Sequence, residues 1–168
     1  MASGDTLMVF TATDARPPAA NPATLDLLNE HPVLDFDAGT TNEGAYFEGV
    51  MPQAYADTTG VTIHYIYTMS SAVTNDIILQ ASWDRLEEDA RADTNTFTTP
   101  IATAADTVPI TTAGKLGYVS KAFAKGATEM QSVVAGDYFR LFVERNSNSA
   151  SDDATGDLEL HAVEIRET

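Results

Sequence analysis

Two apolar runs, VTIHYIYTM (residues 61–69) and DIILQASWDRL (residues 76–86), decide the fold. In both runs an apolar side chain recurs at every second position: Val61, Ile63, Tyr65, Tyr67 and Met69, then Ile77, Leu79, Ala81 and Trp83. A period of two is typical of β-strands with one buried face. The stretch SSAVTND between them is rich in turn-forming residues, so the pair predicts a long antiparallel hairpin.

The same period returns in the last two runs, GDYFRLFVER (residues 136–145) and DLELHAVEIRE (residues 157–167). Phe139, Leu141 and Val143 share one face of the first. In the second, the leucines of its first half and the aliphatic residues of its second half are out of phase. A β-bulge near His161 or Ala162 would bring the two halves onto one face.

Shorter strands are predicted in the rest of the chain: PVLDFD, AYFEGVMP, KLGYVSKAFAKG and the Thr-rich edge segments TNTFTTPI and TVPITT. The only predicted helix is NPATLDLLNEHP (residues 21–32), with Asn21 as its cap, Pro22 in its first turn and Pro32 at its end. About eight strands and at most one short helix predict an all-β, jelly-roll-type antiparallel β-sandwich. An immunoglobulin-like sandwich is the alternative, although the chain has no cysteine.

The proline-rich segment TATDARPPAANP predicts an extended N-terminal arm over residues 1–22, followed by one β-sandwich domain over residues 23–168. In one hypothesis the arm binds a partner, and Leu7, Met8, Val9 and Phe10 add an edge strand to a neighbouring subunit while Pro17 and Pro18 span the gap. In the other, the arm packs on its own sheet. The sequence leaves both open.

Composition excludes several classes of function. The formal net charge is −16, from 25 acidic against 9 basic side chains, and such a surface repels nucleic acid. No apolar run reaches the roughly 18 residues of a membrane span, and the first residues lack the basic region of a secretion signal. We therefore expect a soluble protein without nucleic-acid or membrane partners.

The loop RNSNSASDDATGD (residues 145–157) is the weak metal candidate, because Asp152, Asp153 and Asp157 offer oxygen ligands for calcium. The spacing does not fit an EF-hand, which would need glycine where Ser151 stands and glutamate at the last position. Turn chemistry accounts for the same residues. The sequence predicts an exposed hairpin tip and no bound metal.

No catalytic constellation emerges. The densest acidic group, Asp84 with Glu87, Glu88 and Asp89, could suit a glycosidase, but its neighbour Trp83 falls on the apolar face. The three histidines, His31, His64 and His161, lack the compact spacing of a cupin metal site. No Gly-rich phosphate loop, GxSxG or HExxH motif occurs. We predict a non-enzymatic protein without a cofactor.

Four stretches carry a family resemblance: ATLDLLNEHPVLDFD (residues 23–37), EGVMPQAY (48–55), GVTIHYIYTMSSAVTNDIILQASWDRL (60–86) and AGDYFRLFVERNSNSASDDATGDLELHAVEIRET (135–168). They combine a His-Pro before an apolar strand, a tryptophan-bearing strand in a central hairpin, and a terminal strand pair whose loop ends in Gly-Asp. In this order of segments the chain resembles the jelly-roll head decoration, or cement, proteins of tailed bacteriophages.

The resemblance implies a structural virion protein on the capsid exterior, a homotrimer that stabilises the head by bridging subunits of the major capsid protein. The alternative is a carbohydrate- or receptor-binding β-sandwich module of a phage tail or fibre. The same fold serves both roles. Most aromatic residues alternate within strands and are not concentrated in loops, which favours the structural role.

Overall fold

The computed structural model describes residues 4–71, 75–86, 96–107 and 112–168. Within these ranges the chain forms twelve strands and one 3₁₀ turn, Ala12–Asp14. The strands are β1 (Thr6–Thr11), β2 (Thr24–Leu28), β3 (His31–Phe36), β4 (Gly44–Val50), β5 (Gly60–Met69), β6 (Asp76–Ile77), β7 (Leu79–Leu86), β8 (Ile101–Ala102), β9 (Asp106–Thr107), β10 (Gly117–Ala124), β11 (Tyr138–Arg145) and β12 (Leu158–Glu167). No helix in the described part is long and apolar enough to cross a membrane.

The strands form two main sheets. The six-stranded sheet runs β10-β5-β12-β3-β2, and β1 also pairs with β12. The four-stranded sheet runs β4-β11-β7-β8, and β6 and β9 make a separate short pair. Every pairing between these strands is antiparallel. The predicted all-β, jelly-roll-type sandwich is confirmed.

The core lies between the inner faces of the two sheets. Trp83 is fully buried, and its ring centroid lies 4.9 Å from that of Phe139 and 6.4 Å from that of Phe123. Burial of a large apolar side chain contributes about 1.5–3 kcal/mol. The inward positions predicted from the period of two are confirmed as buried in β5, β7 and β11.

The predicted hairpin of residues 61–86 is wrong. Strand β5 pairs with β10 and β12, whereas β7 pairs with β11 and β8 in the other sheet. Their apolar faces therefore meet across the core and do not lie side by side. Two consecutive strands with the same alternation can do either, because the period of two fixes which face is buried and not which strand is the neighbour.

The predicted helix of residues 21–32 is also wrong, because β2 and β3 form a hairpin there. Its turn residues, Asn29 and Glu30, have φ of 47° and 70°. Positive φ at both central positions matches the twist of paired strands and ends a right-handed helix. Leu25 and Leu27 have the two-residue spacing of a strand face, whereas Leu25 and Leu28 have the three-residue spacing of a helix face, so the leucines alone do not decide between the two.

The C-terminal bulge is confirmed, since the register of β12 against β5 shifts between Leu160 and Ala162. The N-terminal residues 6–14 do not form a separate arm. Strand β1 pairs with β12 of its own chain, and Phe10 packs against Phe47 with 5.4 Å between ring centroids. Residues 6–14 therefore pack on the sandwich of their own chain, and the domain boundary at residue 22 stays a prediction.

The Thr-rich edge segments are described only in part. Strand β8 begins at the end of TNTFTTPI, and β9 ends in the first residues of TVPITT. Residues 94–95 of the first segment and residues 108–111 of the second lie outside the described ranges.

Candidate functional site

The loop of residues 145–157 is not a hairpin tip. It connects β11 in the four-stranded sheet to β12 in the six-stranded sheet. Arg145 is 1% exposed, and its guanidinium bonds Asp152 Oδ1 at 2.8 Å and the carbonyl oxygens of Ala154 and Gly156 at 2.7 and 2.8 Å. Asp152 also accepts the Ile78 amide at 2.9 Å. We call Arg145 and Asp152 the Arg145 clamp.

The three aspartates of this loop do not form one metal site. Asp152 is bonded to Arg145 within the Arg145 clamp. Asp153 accepts the Asp76 amide at 2.9 Å, and Asp157 accepts the Ala38 amide at 2.8 Å. Asp152 and Asp153 thus bond main-chain amides of residues 76–78, and Asp157 bonds that of Ala38, so main-chain donors account for the aspartates of this loop.

Asp157 does join another acidic group. Its carboxylate lies with those of Asp35 and Asp37, with ligand oxygens within 4.8 Å of one another. Burial and the charges of neighbouring acids, Asp157 foremost, raise the pKa of Asp35 from its ordinary 3.8 to about 6. Such oxygens are of the type that calcium prefers. The sequence does not suggest this trio, because 120 residues separate its last two members.

Two of the three histidines lie at the same cavity. His31 and His161 line a cavity of about 470 Å³ on the outer side of the six-stranded sheet, together with Thr68 and Leu116. Thr68 Oγ1 donates to Glu159 at 2.7 Å and lies 3.0 Å from His161 Nε2. Burial lowers the pKa of His161, which favours the neutral imidazole. His64 lies apart, on β5 opposite Glu164.

The outer side of the four-stranded sheet carries a set of rings that we call the aromatic face: Tyr46, Phe97, Tyr138 and Phe142. Tyr46 of β4 pairs with Phe142 of β11, and their ring centroids lie 4.9 Å apart. Phe97 stacks on Tyr46 at 5.3 Å, with an interplanar angle of 15°. These three rings are half-buried, whereas Tyr138 is 40% exposed.

A charged row crosses the aromatic face between its rings. Glu48, Arg140 and Asp84 lie side by side on β4, β11 and β7. Arg140 Nε donates to the buried Asp84 at 2.8 Å, and its guanidinium carbon lies 5.0 Å from the Phe97 ring centroid. Glu48 pairs with Arg16 at 2.9 Å. Burial, followed by a hydrogen bond to Glu48, raises the pKa of Tyr138.

This arrangement presents flat apolar surface beside fixed hydrogen-bonding groups. The next row of the sheet places exposed Val50 beside Tyr138 and Leu86. At the other end of the face, beyond the row of Tyr46 and Phe142, Glu144 accepts a hydrogen bond from Gln80 Nε2 at 2.6 Å. Aromatic surface with a few oriented polar groups is typical of small-molecule and oligosaccharide sites.

Sequence reasoning finds only part of the aromatic face. The alternation in β11 already places Tyr138, Arg140 and Phe142 opposite the core residues, but Tyr46 and Phe97 reach the same place only through tertiary pairing. Of the acidic group considered for a glycosidase, Asp84 is buried in its ion pair with Arg140, and residues 87–89 lie outside the described ranges.

The residues assigned to the N-terminal arm separate in the structure. Leu7, Met8 and Phe10 pack against the core of their own chain, and Val9 is 54% exposed. Pro17 lines a groove beside β2. These positions favour the hypothesis in which the N-terminal residues pack on their own sheet.

No protein-family model matches this chain, and no curated protein matches it. Solved structures of similar fold include the C-terminal CBM6 of the laminarinase LamC from Zobellia galactanivorans (TM-score 0.48, 12% identity, 95% of this chain and 98% of that one). Others are the xylan-binding module CBM15 (0.49, 11%, 96% and 97%) and the CBM22-1 xylan-binding domain of Paenibacillus barcinonensis Xyn10C (0.49, 15%, 98% and 95%). A structure of infectious bursal disease virus also matches (0.35, 15%, 98% and 34%). With TM-scores below 0.5, these likenesses carry no argument about what this chain binds.

Proposed function

We propose that this chain is a non-catalytic binding module for neutral carbohydrate, with the aromatic face as its ligand site. The observation that carries the proposal is the exposed Tyr138 ring beside the charged row of Glu48 and Arg140. A sugar ring has apolar C–H faces and a rim of hydroxyls. Tyr138 covers the first, while carboxylate and guanidinium groups bond the second.

The dimensions of the aromatic face suit an oligosaccharide better than a single sugar. The row of Tyr46 and Phe142 and the row of Val50 and Tyr138 are four residues apart along their strands. At the rise of an antiparallel strand this separation is about 14 Å. A chain of several sugar units could contact both rows and pass over the charged row between them.

The net charge of the protein selects among glycans. At −16 the surface repels anionic polysaccharides at moderate ionic strength. Arg140, the cation at the centre of the aromatic face, is already paired with Asp84. A neutral polysaccharide avoids this repulsion, so we expect neutral glycans to bind more tightly than uronic acid polymers.

Affinity electrophoresis and calorimetry with soluble xylan, laminarin, hydroxyethylcellulose and polygalacturonate test the proposal. We expect one neutral polymer to bind and Tyr138→Ala to weaken that binding up to about tenfold, since one aromatic contact contributes about 0.5–1.5 kcal/mol beyond the area it buries. Tyr118→Ala is the matched control, because Tyr118 is 63% exposed on the opposite sheet. Absence of binding to every neutral polymer, or equal loss in both variants, would overturn the proposal.

We also propose, as a second candidate, the capsid-exterior role implied by the resemblance to phage decoration proteins, with the major capsid protein and two further copies of this chain as partners. The exposed leucines of β2 favour a contact with the major capsid protein, because 57% of Leu25 and 65% of Leu27 face solvent on an edge strand. Mass spectrometry of purified virions should then find a copy number comparable to that of the major capsid protein. A few copies per particle would support a tail location instead.

A further inference from the structure

The outermost strand of the six-stranded sheet, β2, shows an unusual surface. Leu25 and Leu27 point to the same side of this strand and are 57% and 65% exposed. No strand pairs with the free side of β2 within the described ranges. Native edge strands usually carry charges or prolines that prevent further pairing, so two exposed leucines on a free edge require an explanation.

The pairing of β2 with β3 shows which main-chain groups are free. Leu27 lies opposite Pro32, which has no N–H, so this pair cannot be the hydrogen-bonded type of an antiparallel ladder. The Leu27 N–H accordingly points outward, where it donates to Asp26 Oδ1 at 2.7 Å. By the period of two, the amide and carbonyl of Leu25 also face outward.

An apolar groove of about 300 Å³ adjoins Leu25. It is lined by small and apolar side chains of the N-terminal segment, β2 and β3: Ala12, Ala15, Pro17, Pro22, Leu25 and Leu34. Arg16 also lines this groove and is paired with Glu48 at 2.9 Å. Leu25 and Leu34 are opposite each other in the ladder, so the groove lies on the leucine side of β2.

The other side of β2 is acidic. Asp26 faces away from the leucines, and the remaining charges of the β2–β3 hairpin and its end are Glu30, Asp35 and Asp37. No lysine or arginine occurs between Arg16 and Arg85. The crowding of negative charge is strong enough that Asp26 is among the groups that raise the pKa of Asp35.

We propose that the free edge of β2 binds an extended segment of a partner protein in which apolar residues alternate with basic residues. The segment adds a strand to the six-stranded sheet through the outward groups of Leu25 and Leu27. Its apolar side chains enter the groove, and its basic side chains face Asp26 and Asp35. This site is on the opposite sheet from the aromatic face and does not depend on the proposed carbohydrate function.

Asp26 has a different bonding partner in the free protein and in the proposed complex. In the free protein its carboxylate occupies the Leu27 N–H, which protects the edge from unselective pairing. An incoming carbonyl oxygen takes over that N–H, and the released carboxylate then pairs with a lysine or arginine of the segment. A second copy of this chain is a poor occupant, because its β2 would place another Asp26 against the same acidic side.

The test is an NMR titration of the ¹⁵N-labelled full chain with three terminally blocked hexapeptides. These are Lys-Val repeated three times, the same peptide with glutamate for lysine, and the lysine peptide with N-methylated valines. We expect the first to shift the amide signals of Leu25 and Leu27. The other two should bind at least about tenfold more weakly. The glutamate peptide has the wrong charge for the acidic side of β2, and the N-methylated peptide lacks the main-chain N–H groups that would pair with the strand.

Two substitutions at one position separate edge pairing from general attraction. Leu27→Pro removes the outward N–H, which bonds Asp26 in the free protein, and leaves the β3 ladder intact. The variant should therefore fold and bind the lysine peptide about tenfold or more weakly, whereas Leu27→Val should keep the affinity. Should Leu27→Pro not fold, the Leu25→Ser/Leu27→Ser double variant replaces it. Val9→Ser is the control, since Val9 is 54% exposed on β1.

Three results would overturn the proposal. The first is no binding of the lysine peptide to the wild-type chain at millimolar concentration. The second is equal affinity for the N-methylated peptide, which means that charge alone attracts it. The third is binding that is unaffected by Leu27→Pro, or by the double variant that replaces it, or that is lost equally in Val9→Ser.

Discussion

The loop of residues 145–157 and the edge strand β2 reverse the usual relation between polarity and burial. The loop is composed almost wholly of polar and small residues, yet Arg145 and Asp152 within it are buried. Strand β2 carries three leucines, yet two of them face solvent. Buried polar groups persist when each finds its partner within the chain, and exposed apolar groups are stable in water when they are few. The polar groups of the loop find their partners within this chain, whereas we propose that the exposed leucines of β2 contact another protein.

Among the substitutions that test this difference, we expect Arg145→Met to cause the largest loss of stability. The substitution leaves Asp152 buried without its counter-charge and two carbonyl oxygens without donors, so we expect a loss of about 3–5 kcal/mol in the free energy of unfolding. Arg16→Met is the matched control. The ion pair of Arg16 with Glu48 is exposed, with 68% of the Arg16 side chain accessible. Its loss should therefore lower the free energy of unfolding by less than about 1 kcal/mol.

Urea denaturation followed by tryptophan fluorescence measures both variants, because Trp83 is the only tryptophan and lies in the core. Equal midpoints for Arg145→Met and Arg16→Met would show that the Arg145 clamp does not hold the loop. In that case the buried ion pair would not be what stabilises the polar loop.

The sequence predicts the buried faces better than the neighbours of each strand. Alternation in residues 61–69 and 138–145 identifies the inward side chains, and the phase change in the last strand locates its bulge. The pairing of β5 with β12 depends on contacts across about 100 residues, which period-two patterns do not encode. The false helix of residues 21–32 has a local cause, because Leu25, Leu27 and Leu28 fit either period and the two-residue turn at Asn29 carries no glycine.

The same limit applies to the candidate sites. Arg145 and Asp152 are only seven residues apart, but their pairing is invisible until the loop is known to cross between sheets. The aromatic face needs Tyr46, Phe97 and Phe142 from three distant segments. Charge composition, in contrast, is a property of the sequence itself, and the long stretch without basic residues that surrounds β2 can be read directly from it.

Asp35→Asn tests the acidic side of β2 and its hairpin. Asp35 has a pKa raised to about 6 from 3.8, so its ionised form is disfavoured in the folded state. The wild-type chain should therefore gain stability as the pH falls from about 7 towards 4, when Asp35 binds a proton in the folded state before it does so in the unfolded state. Asp35→Asn should lack this gain and be more stable than wild type at pH 7.5, by about 1 kcal/mol after solvent screening.

Melting temperatures at pH 7.5 and pH 5, each in EDTA and in millimolar calcium chloride, measure this effect. Glu129→Gln is a control for the loss of an acid away from the hairpin. Lower stability of Asp35→Asn in EDTA would contradict the prediction. A calcium-dependent rise in the wild type that is lost in Asp35→Asn would show instead that Asp35, Asp37 and Asp157 hold a cation, contrary to the expectation of no metal.

The Leu25→Ser/Leu27→Ser double variant gives the smallest expected effect on stability. Surface substitutions usually change the free energy of unfolding by no more than about 0.5 kcal/mol each, and both leucines are more than half exposed. Leu34→Ala on the adjoining strand is the control, because Leu34 is 4% exposed and its truncation should cost about 2–4 kcal/mol. Urea denaturation compares the two. A large loss in the double variant would mean that the leucines serve the fold of their own chain. A small loss combined with weaker peptide binding would mean that these apolar residues are kept for the partner, since they contribute little to the sandwich that carries them.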